Sequence, residues 1–124
     1  MVDLDFIWKH CSFDDWDGHG AIEMSGAVMQ TARDLFEKFP DQCNVAWAYF
    51  DVAPHSNGTM MFEWSLYDDL YFYLEFGLTE YSAFSRVGED VIYYPSADSN
   101  GPIADLPALF EHIRKFNKDH EALI

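Results

Sequence analysis

Apolar side chains in the middle of this chain alternate with polar and aromatic ones, and a period of two is typical of strands. Three segments follow this pattern, and we predict strands over residues 44–52, 59–66 and 70–76. Turn-forming residues separate them, at 54–58 and at 67–69. Such short connections join antiparallel neighbours, so the three strands are expected to form a meander.

A helix is predicted on each side of this region. The first follows Ser25, a residue suited to cap a helix, and its apolar side chains recur at helical spacing until Pro40 ends the pattern. The second follows Asp105 as its cap and has Pro107 in its first turn. Its apolar stripe consists of Leu106, Leu109, Phe110, Ile113 and Phe116. Residues 1–24 are expected to form an irregular arm that packs on the core through four aromatic side chains.

Two further strands and a loop complete the predicted fold. Residues 81–87 are expected to form a fourth strand, residues 90–94 a short fifth, and residues 95–102 a loop. The 124 residues therefore predict a single α+β domain: one helix, an antiparallel meander of four to five strands, and a C-terminal helix. Both helices are expected on one face of the sheet.

Alternation assigns the side chains of the first three strands to two faces, because neighbouring residues on a strand point to opposite sides. One face is apolar and is expected to form the core: Ala46, Ala48, Phe50, Val52, Met60, Phe62, Trp64, Leu66, Leu70, Phe72, Leu74 and Phe76. The other face combines aromatic rings with carboxylates and contains no cation: Trp47, Tyr49, Asp51, Met61, Glu63, Tyr71, Tyr73 and Glu75. The composition of that second face calls for an explanation other than core packing.

Net charge restricts the partners of this chain. Its 22 Asp and Glu residues outnumber its 7 Lys and Arg residues, and the formal charge of −15 repels nucleic acid and anionic lipid. Arg86 is the sole cation between residues 39 and 113, a stretch that holds twelve acids. This acidity has two explanations, which are solubility alone or a docking surface. In a docking surface, carboxylates and aromatic rings match the cations and stacking groups with which proteins hold nucleic acids.

The docking hypothesis predicts a non-enzymatic, acidic inhibitor. We expect it to occupy the nucleic-acid-binding surface of a basic protein or nuclease complex, in the style of anti-CRISPR, anti-restriction or antitoxin proteins. The candidate partner-binding residues are Trp47, Tyr49, Asp51, Glu63, Asp68, Asp69, Tyr71, Tyr73, Glu75, Glu80, Glu89 and Asp90. The alternative is a small-ligand-binding protein or hydrolase that uses an aromatic pocket. A closed pocket lined by Trp and Tyr favours a ligand, whereas a flat or convex acidic face favours a protein partner.

Sequence motifs of established chemistry are missing from the chain. It has no G-x-S-x-G elbow, no glycine-rich phosphate loop and no His or Cys spacing typical of zinc, so no catalytic residue, metal or cofactor is predicted. Residues 14–20 faintly resemble a calcium loop, but Glu23 falls too early for the last ligand, and a glycine turn is favoured. Only Cys11 and Cys43 are present, and no secretion signal precedes them, which predicts free thiols in the cytoplasm.

Short motifs spread over most of the chain suggest a family. They are Trp16-Asp17-Gly18-His19-Gly20-Ala21, then Pro54-His55-Ser56-Asn57-Gly58, then Met61-Phe62-Glu63-Trp64. The chain thereby resembles small bacterial and phage-borne proteins of uncharacterised activity that share W-x-G-x-G-A, a helix, P-x-x-x-G, a strand ending in E-W, and a closing helix. The resemblance implies one helix, a twisted antiparallel sheet and a C-terminal helix, and it implies no activity. Asn44 and Val45 stand where that pattern usually has a proline at the first strand.

Overall fold

The structure, a computed structural model, describes the backbone of residues 3–43, 49–67 and 69–120. Its elements are α1 (Leu4–Cys11), α2 (Gly26–Cys43), β1 (Tyr49–Pro54), β2 (Met60–Tyr67), β3 (Leu70–Phe76), β4 (Glu80–Val87), β5 (Asp90–Tyr94), β6 (Gly101–Pro102), a 3-10 turn (Ile103–Asp105) and α3 (Leu106–His120). The predicted α+β class is confirmed.

The sheet is an antiparallel meander in the order β1-β2-β3-β4-β5. The bounds of β3 and β5 are those predicted, whereas β1 extends two residues beyond the predicted end, to Pro54. The first five residues of the predicted strand, 44–48, lie outside the described residues. The short β6 was expected to be loop, and it pairs with the start of β4. A Cβ on Gly101 would lie 2.5 Å from Cε1 of Tyr81, so only glycine allows this approach.

The N-terminal arm contains a helix, so the prediction of an irregular segment is wrong for the eight residues of α1. Asp3 caps this helix, because its Oδ1 accepts the N–H of Phe6 at 3.1 Å. Leu4 and Cys11 are buried two helical turns apart, and Trp8 packs against the same core. An isolated helix this short is marginal in water, so its packing on the core stabilises it. The arm therefore packs on the core as predicted, but through Trp8 and Trp16 and not through all four aromatic side chains, since Phe6 and Phe13 are 59% and 51% exposed.

The two longer helices follow the predicted apolar stripes, and α2 also follows its predicted cap, with one correction. Asp105, the predicted cap of α3, is the last residue of the 3-10 turn that leads into this helix. The N–H of Val28 donates to Ser25 Oγ at 3.2 Å, which confirms Ser25 as the cap of α2. The prediction that Pro40 ends this helix is wrong, because α2 continues to Cys43. Proline adopts the helical φ, although it removes one backbone hydrogen bond and its ring crowds the carbonyl four residues earlier, so a helix can pass through it at some cost in stability. All five apolar residues predicted for α3 are buried.

One face of the sheet forms the core together with the helices. Met60, Phe62, Trp64, Phe72, Leu74 and Phe76 are each at most 1% exposed and belong to one hydrophobic cluster with residues of α1, α2 and α3. Val52 and Leu70 are buried in it as well. The predicted inner face is thus confirmed at these positions. Ala46 and Ala48 lie outside the described residues, as do the side chains of Phe50 and Leu66.

Candidate functional site

The sheet face opposite the helices is built from three rows of cross-strand neighbours, and we call it the outer face. The middle row is Asp51, Glu63, Tyr73, Phe84 and Tyr93. The rows on either side are Ala53, Met61, Glu75 and Ser82, and Tyr49, Ser65, Tyr71, Arg86 and Val91. Since the helices pack on the inner face, no described element forms a second layer over the outer one.

Aromatic rings run across the outer face from β3 to β5. Tyr73 stacks on Phe84 with ring centroids 5.2 Å apart and an interplanar angle of 24°. Tyr71 meets the same Phe84 edge-on at 5.8 Å, and Tyr93 approaches it at 6.0 Å. Tyr71, Tyr73 and Phe84 are half-buried, whereas Tyr93 is 50% exposed. These four residues, the aromatic band, form a semi-rigid surface that presents apolar area at low entropic cost.

Two carboxylates lie directly opposite each other beside this band. Asp51 on β1 is the register partner of Glu63 on β2, and both are half-buried. Asp51 Oδ1 accepts the N–H of Val52 at 2.9 Å. The ion pairs found among the described residues involve other side chains. Like charges at directly opposed positions destabilise a sheet, so this pair costs stability in the isolated protein.

Glu75, by contrast, is held in a hydrogen-bond network at the end of the sheet. Tyr73 OH donates to Glu75 Oε1 at 3.0 Å, and Thr59 Oγ1 lies 2.7 Å from Glu75 Oε2. The ring of His55 lies near Tyr73 and Glu75, with its Nε2 3.3 Å from Tyr73 OH and its Nδ1 3.8 Å from Glu75 Oε1. Asn57 Oδ1 lies 2.7 Å from Thr59 Oγ1 and fixes that hydroxyl. Glu75 therefore has a structural role in addition to its negative charge.

This environment changes the acidity of Tyr73. Burial raises the pKa of its phenol, and the charge of Glu75 together with the hydrogen bond to it raises the pKa further. The more distant charge of Glu63 acts in the same direction on this pKa. Tyr73 consequently remains a neutral hydrogen-bond donor well into the alkaline range.

The remaining predicted site residues occupy the two ends of the sheet. Asp69, Glu89 and Asp90 are exposed at one end, where the N–H of Gly88 donates to the Asp69 carbonyl at 2.8 Å and joins two turns. Glu80 is exposed at the other end and accepts from Asn100 Nδ2 at 3.2 Å. Trp47 and Asp68 lie outside the described residues, and the side chain of Tyr49 is also outside them. The predicted residues thus separate into one face and two ends.

Sequence reasoning missed the outer-face residues of the later strands. Phe84 and Tyr93 complete the aromatic band, and Arg86 on β4 adds a cation beside the three strands whose outer residues were predicted to include none. The Nε of Arg86 donates to the Gly88 carbonyl at 2.8 Å. Extending the alternation into β4 would have found Phe84 and Arg86, because they alternate along that strand with Tyr81, Ala83 and Ser85, which are buried.

The aspartate-rich loop before α2 is a structural turn. Asp14, Asp15 and Asp17 each use Oδ1 to accept backbone N–H groups, at 2.6 to 3.2 Å, from residues 19–23. The N–H of His19 in particular holds the pKa of Asp17 below its usual value. Gly18 and Gly20 have φ of +75° and +86°, as the predicted glycine turn requires. Within the described residues, no three His, Cys, Asp or Glu side chains converge in the manner of metal ligands.

Two grooves are described, and neither is lined by the aromatic band. One, of about 430 Å³, lies between β5 and α3 and includes Ile92, Tyr94 and Phe116. The other, of about 270 Å³, lies at the sheet end beside Asn57 and Glu80. Cys11 is free and buried, and burial raises the pKa of its thiol, as expected for a structural cysteine. The side chain of Cys43 is not among those described.

Comparisons with family models, with curated proteins and with solved structures gave no match to this chain. The family resemblance drawn from the short motifs therefore stays a prediction. In the described part of the chain, no helix has both the length and the apolar composition needed to cross a membrane.

Proposed function

We propose that this chain is a non-enzymatic inhibitor that binds a basic protein through the outer face and occupies that protein's nucleic-acid-binding surface. Inhibitors of nucleases in phage defence, antirestriction proteins and antitoxins act in this general manner. Carboxylates would meet the partner's Lys and Arg side chains, while the aromatic band would take the place of stacked bases. The cytoplasm, where such partners work, fits the free thiol of Cys11.

The opposed pair of Asp51 and Glu63 is the observation that carries this proposal. A sheet gains nothing in isolation from two like charges at directly opposed, half-buried positions. A cationic side chain from a partner would convert that repulsion into attraction. Solubility alone does not require this placement, because fully exposed positions serve it equally well.

The shape of the molecule favours a protein partner over a small ligand. The outer face is an open sheet surface, and the two grooves described lie away from its aromatic band. A ligand pocket would enclose aromatic rings and a few convergent polar groups. An open face that carries the carboxylates of Asp51, Glu63 and Glu75 instead suits a macromolecule that covers a wide area.

Charge reversal at the centre of the outer face tests the proposal. Immobilised parent protein and the variants Glu63→Lys and Glu37→Lys are exposed to cytoplasmic extract, and retained proteins are identified by mass spectrometry. Glu37 is exposed on α2, on the helical side of the sheet, and makes the matched control. We expect a basic protein that is retained by the parent and by Glu37→Lys and is lost from Glu63→Lys.

The retained protein must then pass a competition assay. Its binding to nucleic acid is expected to fall as the inhibitor is added, and its binding to the inhibitor is expected to weaken steeply with salt, because charges are screened over about 8 Å at 0.15 M. A partner that binds Glu63→Lys as well as the parent, or that holds nucleic acid and inhibitor together, contradicts the proposal.

Neutralising the opposed pair separates stability from binding. In Asp51→Asn and in Glu63→Gln, loss of the cross-strand repulsion is expected to increase the free energy of unfolding by about 0.2–1 kcal/mol. The same variants are expected to bind the partner more weakly than the parent. Urea unfolding and a titration with the partner measure the two quantities, with Glu37→Gln as the control. Variants that lose stability would show that the pair does not repel in the folded protein.

A further inference from the structure

The edge of the sheet at β5 is unusually apolar for an exposed strand. Val91, Ile92 and Tyr93 are 40%, 58% and 50% exposed, and Val87 at the adjoining end of β4 is 41% exposed. Elsewhere in the described chain, the large exposed hydrophobic side chains are scattered singly. In the described sheet, β5 pairs with β4 on one side and has no strand on the other. Such an edge is a template for pairing with another strand.

A groove follows this edge on the inner side of the sheet. It has a volume of about 430 Å³ and separates β5 from α3. Ile92, Tyr94 and Phe116 contribute apolar surface to it, and Ile92 lies at its open side. A strand added beside β5 would place every second side chain over this groove.

The groove beside this edge is lined by side chains of both signs. The groove has the carboxylates of Asp90 and Asp119, the ammonium group of Lys115, and His112. The whole chain has a net charge of −15, and residues 39–113 contain twelve acids and one cation. A basic partner is therefore attracted to the outer face more strongly than to this edge. The edge is instead suited to bind an apolar strand.

We propose that β5 is the dimerisation edge of this protein and that its occupant is β5 of a second copy. In an antiparallel pairing about a two-fold axis at Ile92, Ile92 faces Ile92 of the other copy on the inner side. On the outer side, Val91 faces Tyr93 of the other copy, and Tyr93 faces its Val91. Each exposed apolar residue of the strand then has an apolar cross-strand neighbour, and the contact is self-complementary, as an isologous interface requires.

This pairing rests on the fold alone, and it also deepens the proposed function. The two sheets become one continuous sheet, and the two outer faces lie side by side on the same surface. The dimer would offer a partner a double-length acidic and aromatic surface, which raises affinity for an elongated basic groove through two linked contacts.

Sedimentation velocity of the full chain over a range of concentrations tests the dimer. We expect the parent to be a dimer at high concentration, Ile92→Lys to be a monomer, and Leu78→Lys to behave like the parent. Leu78 is 63% exposed in the β3–β4 turn, so the control introduces the same charge at a similarly exposed apolar site. Ile92→Thr, which retains β-branching, is expected to weaken the dimer without disturbing the strand, and thermal melting monitors folding in each variant.

Salt distinguishes this interface from the proposed partner surface. Two copies that each carry −15 repel one another, so screening is expected to strengthen the dimer, whereas it weakens the charged contact with a partner. A parent that stays monomeric at its highest soluble concentration overturns the proposal. The proposal is also overturned if both Ile92→Lys and Ile92→Thr remain dimeric. It is overturned as well if Leu78→Lys dissociates the dimer to the same extent as Ile92→Lys. None of these results affects the test of the outer face with Glu63→Lys.

Discussion

The two faces of one sheet use aromatic residues in opposite ways. On the inner face, Trp64 and Phe72 meet edge-on at 6.0 Å and are almost completely buried with the helices. On the outer face, Tyr73 stacks on Phe84 at 5.2 Å, but both rings are only half-buried and carboxylates adjoin them. The inner rings stabilise the fold by removing apolar area from water. The outer rings retain area that another molecule can cover.

The comparison separates stability from function along a single strand. Phe72 and Tyr73 are neighbours in sequence, yet the first belongs to the core and the second to the candidate surface. An aromatic residue in a strand is therefore informative only when its face is known. The carboxylates follow the same rule, because Asp51 and Glu63 are placed by register on the face that has no helical cover.

The largest loss of stability is expected when a side chain of the inner face is removed. In Phe72→Ala, the lost contacts with Trp64, Tyr94 and Phe116 and the resulting cavity are expected to lower the free energy of unfolding by about 3–5 kcal/mol. Tyr71→Ala, one residue away on the outer face, is expected to cost clearly less. Urea denaturation of both variants makes the comparison. Equal losses would mean that the two faces are packed to the same extent.

A smaller effect is expected where the outer face is structural. Glu75→Leu removes one acceptor from Tyr73 OH and one from Thr59 Oγ1, while His55 Nε2 and Asn57 Oδ1 remain beside them. The expected cost is therefore that of lost hydrogen bonds, about 0.5–1.5 kcal/mol, rather than that of polar groups without a partner. Glu63 lies on the same face and has no such bond to any described residue, so Glu63→Leu is expected to leave thermal stability unchanged or higher. If Glu75→Leu melts at the same temperature as Glu63→Leu, the network does not contribute to folding. Glu63 is accordingly the better residue for probing partner binding by charge reversal.

The smallest effect appears only in alkali. Because the pKa of Tyr73 is raised in the folded state, the folded chain keeps a proton that the unfolded chain releases near pH 10. Its contribution to stability is therefore present below about pH 10 and is lost as the pH rises above that value. Tyr73→Phe, which keeps the ring, is expected to remove a late step from the tyrosinate absorbance titration and to flatten the alkaline loss of stability. An unchanged titration would place Tyr73 in a more open environment than the structure gives it.

Much of the fold was predictable from local patterns. Alternation located β2 and β3 and the face of each residue within them, because a period of two leaves no other assignment for Phe62, Trp64 and Phe72. Helical spacing and a serine cap located the start of α2. The α1 helix was missed although Leu4, Trp8 and Cys11 have helical spacing, since eight residues depend on packing rather than on their own propensity.

Only the tertiary structure decided what surrounds each candidate residue. The sequence by itself determined the strong negative charge, the meander and the outward placement of Glu63 and Glu75, because these depend on composition and on the geometry of a strand. It could not show that Asp51 opposes Glu63, that His55 and Thr59 come from a hairpin to hold Glu75, or that β5 forms an open edge. Such relations depend on strand register and on contacts between segments distant in the chain. These arise only when the strands pair and the helices pack on one face of the sheet.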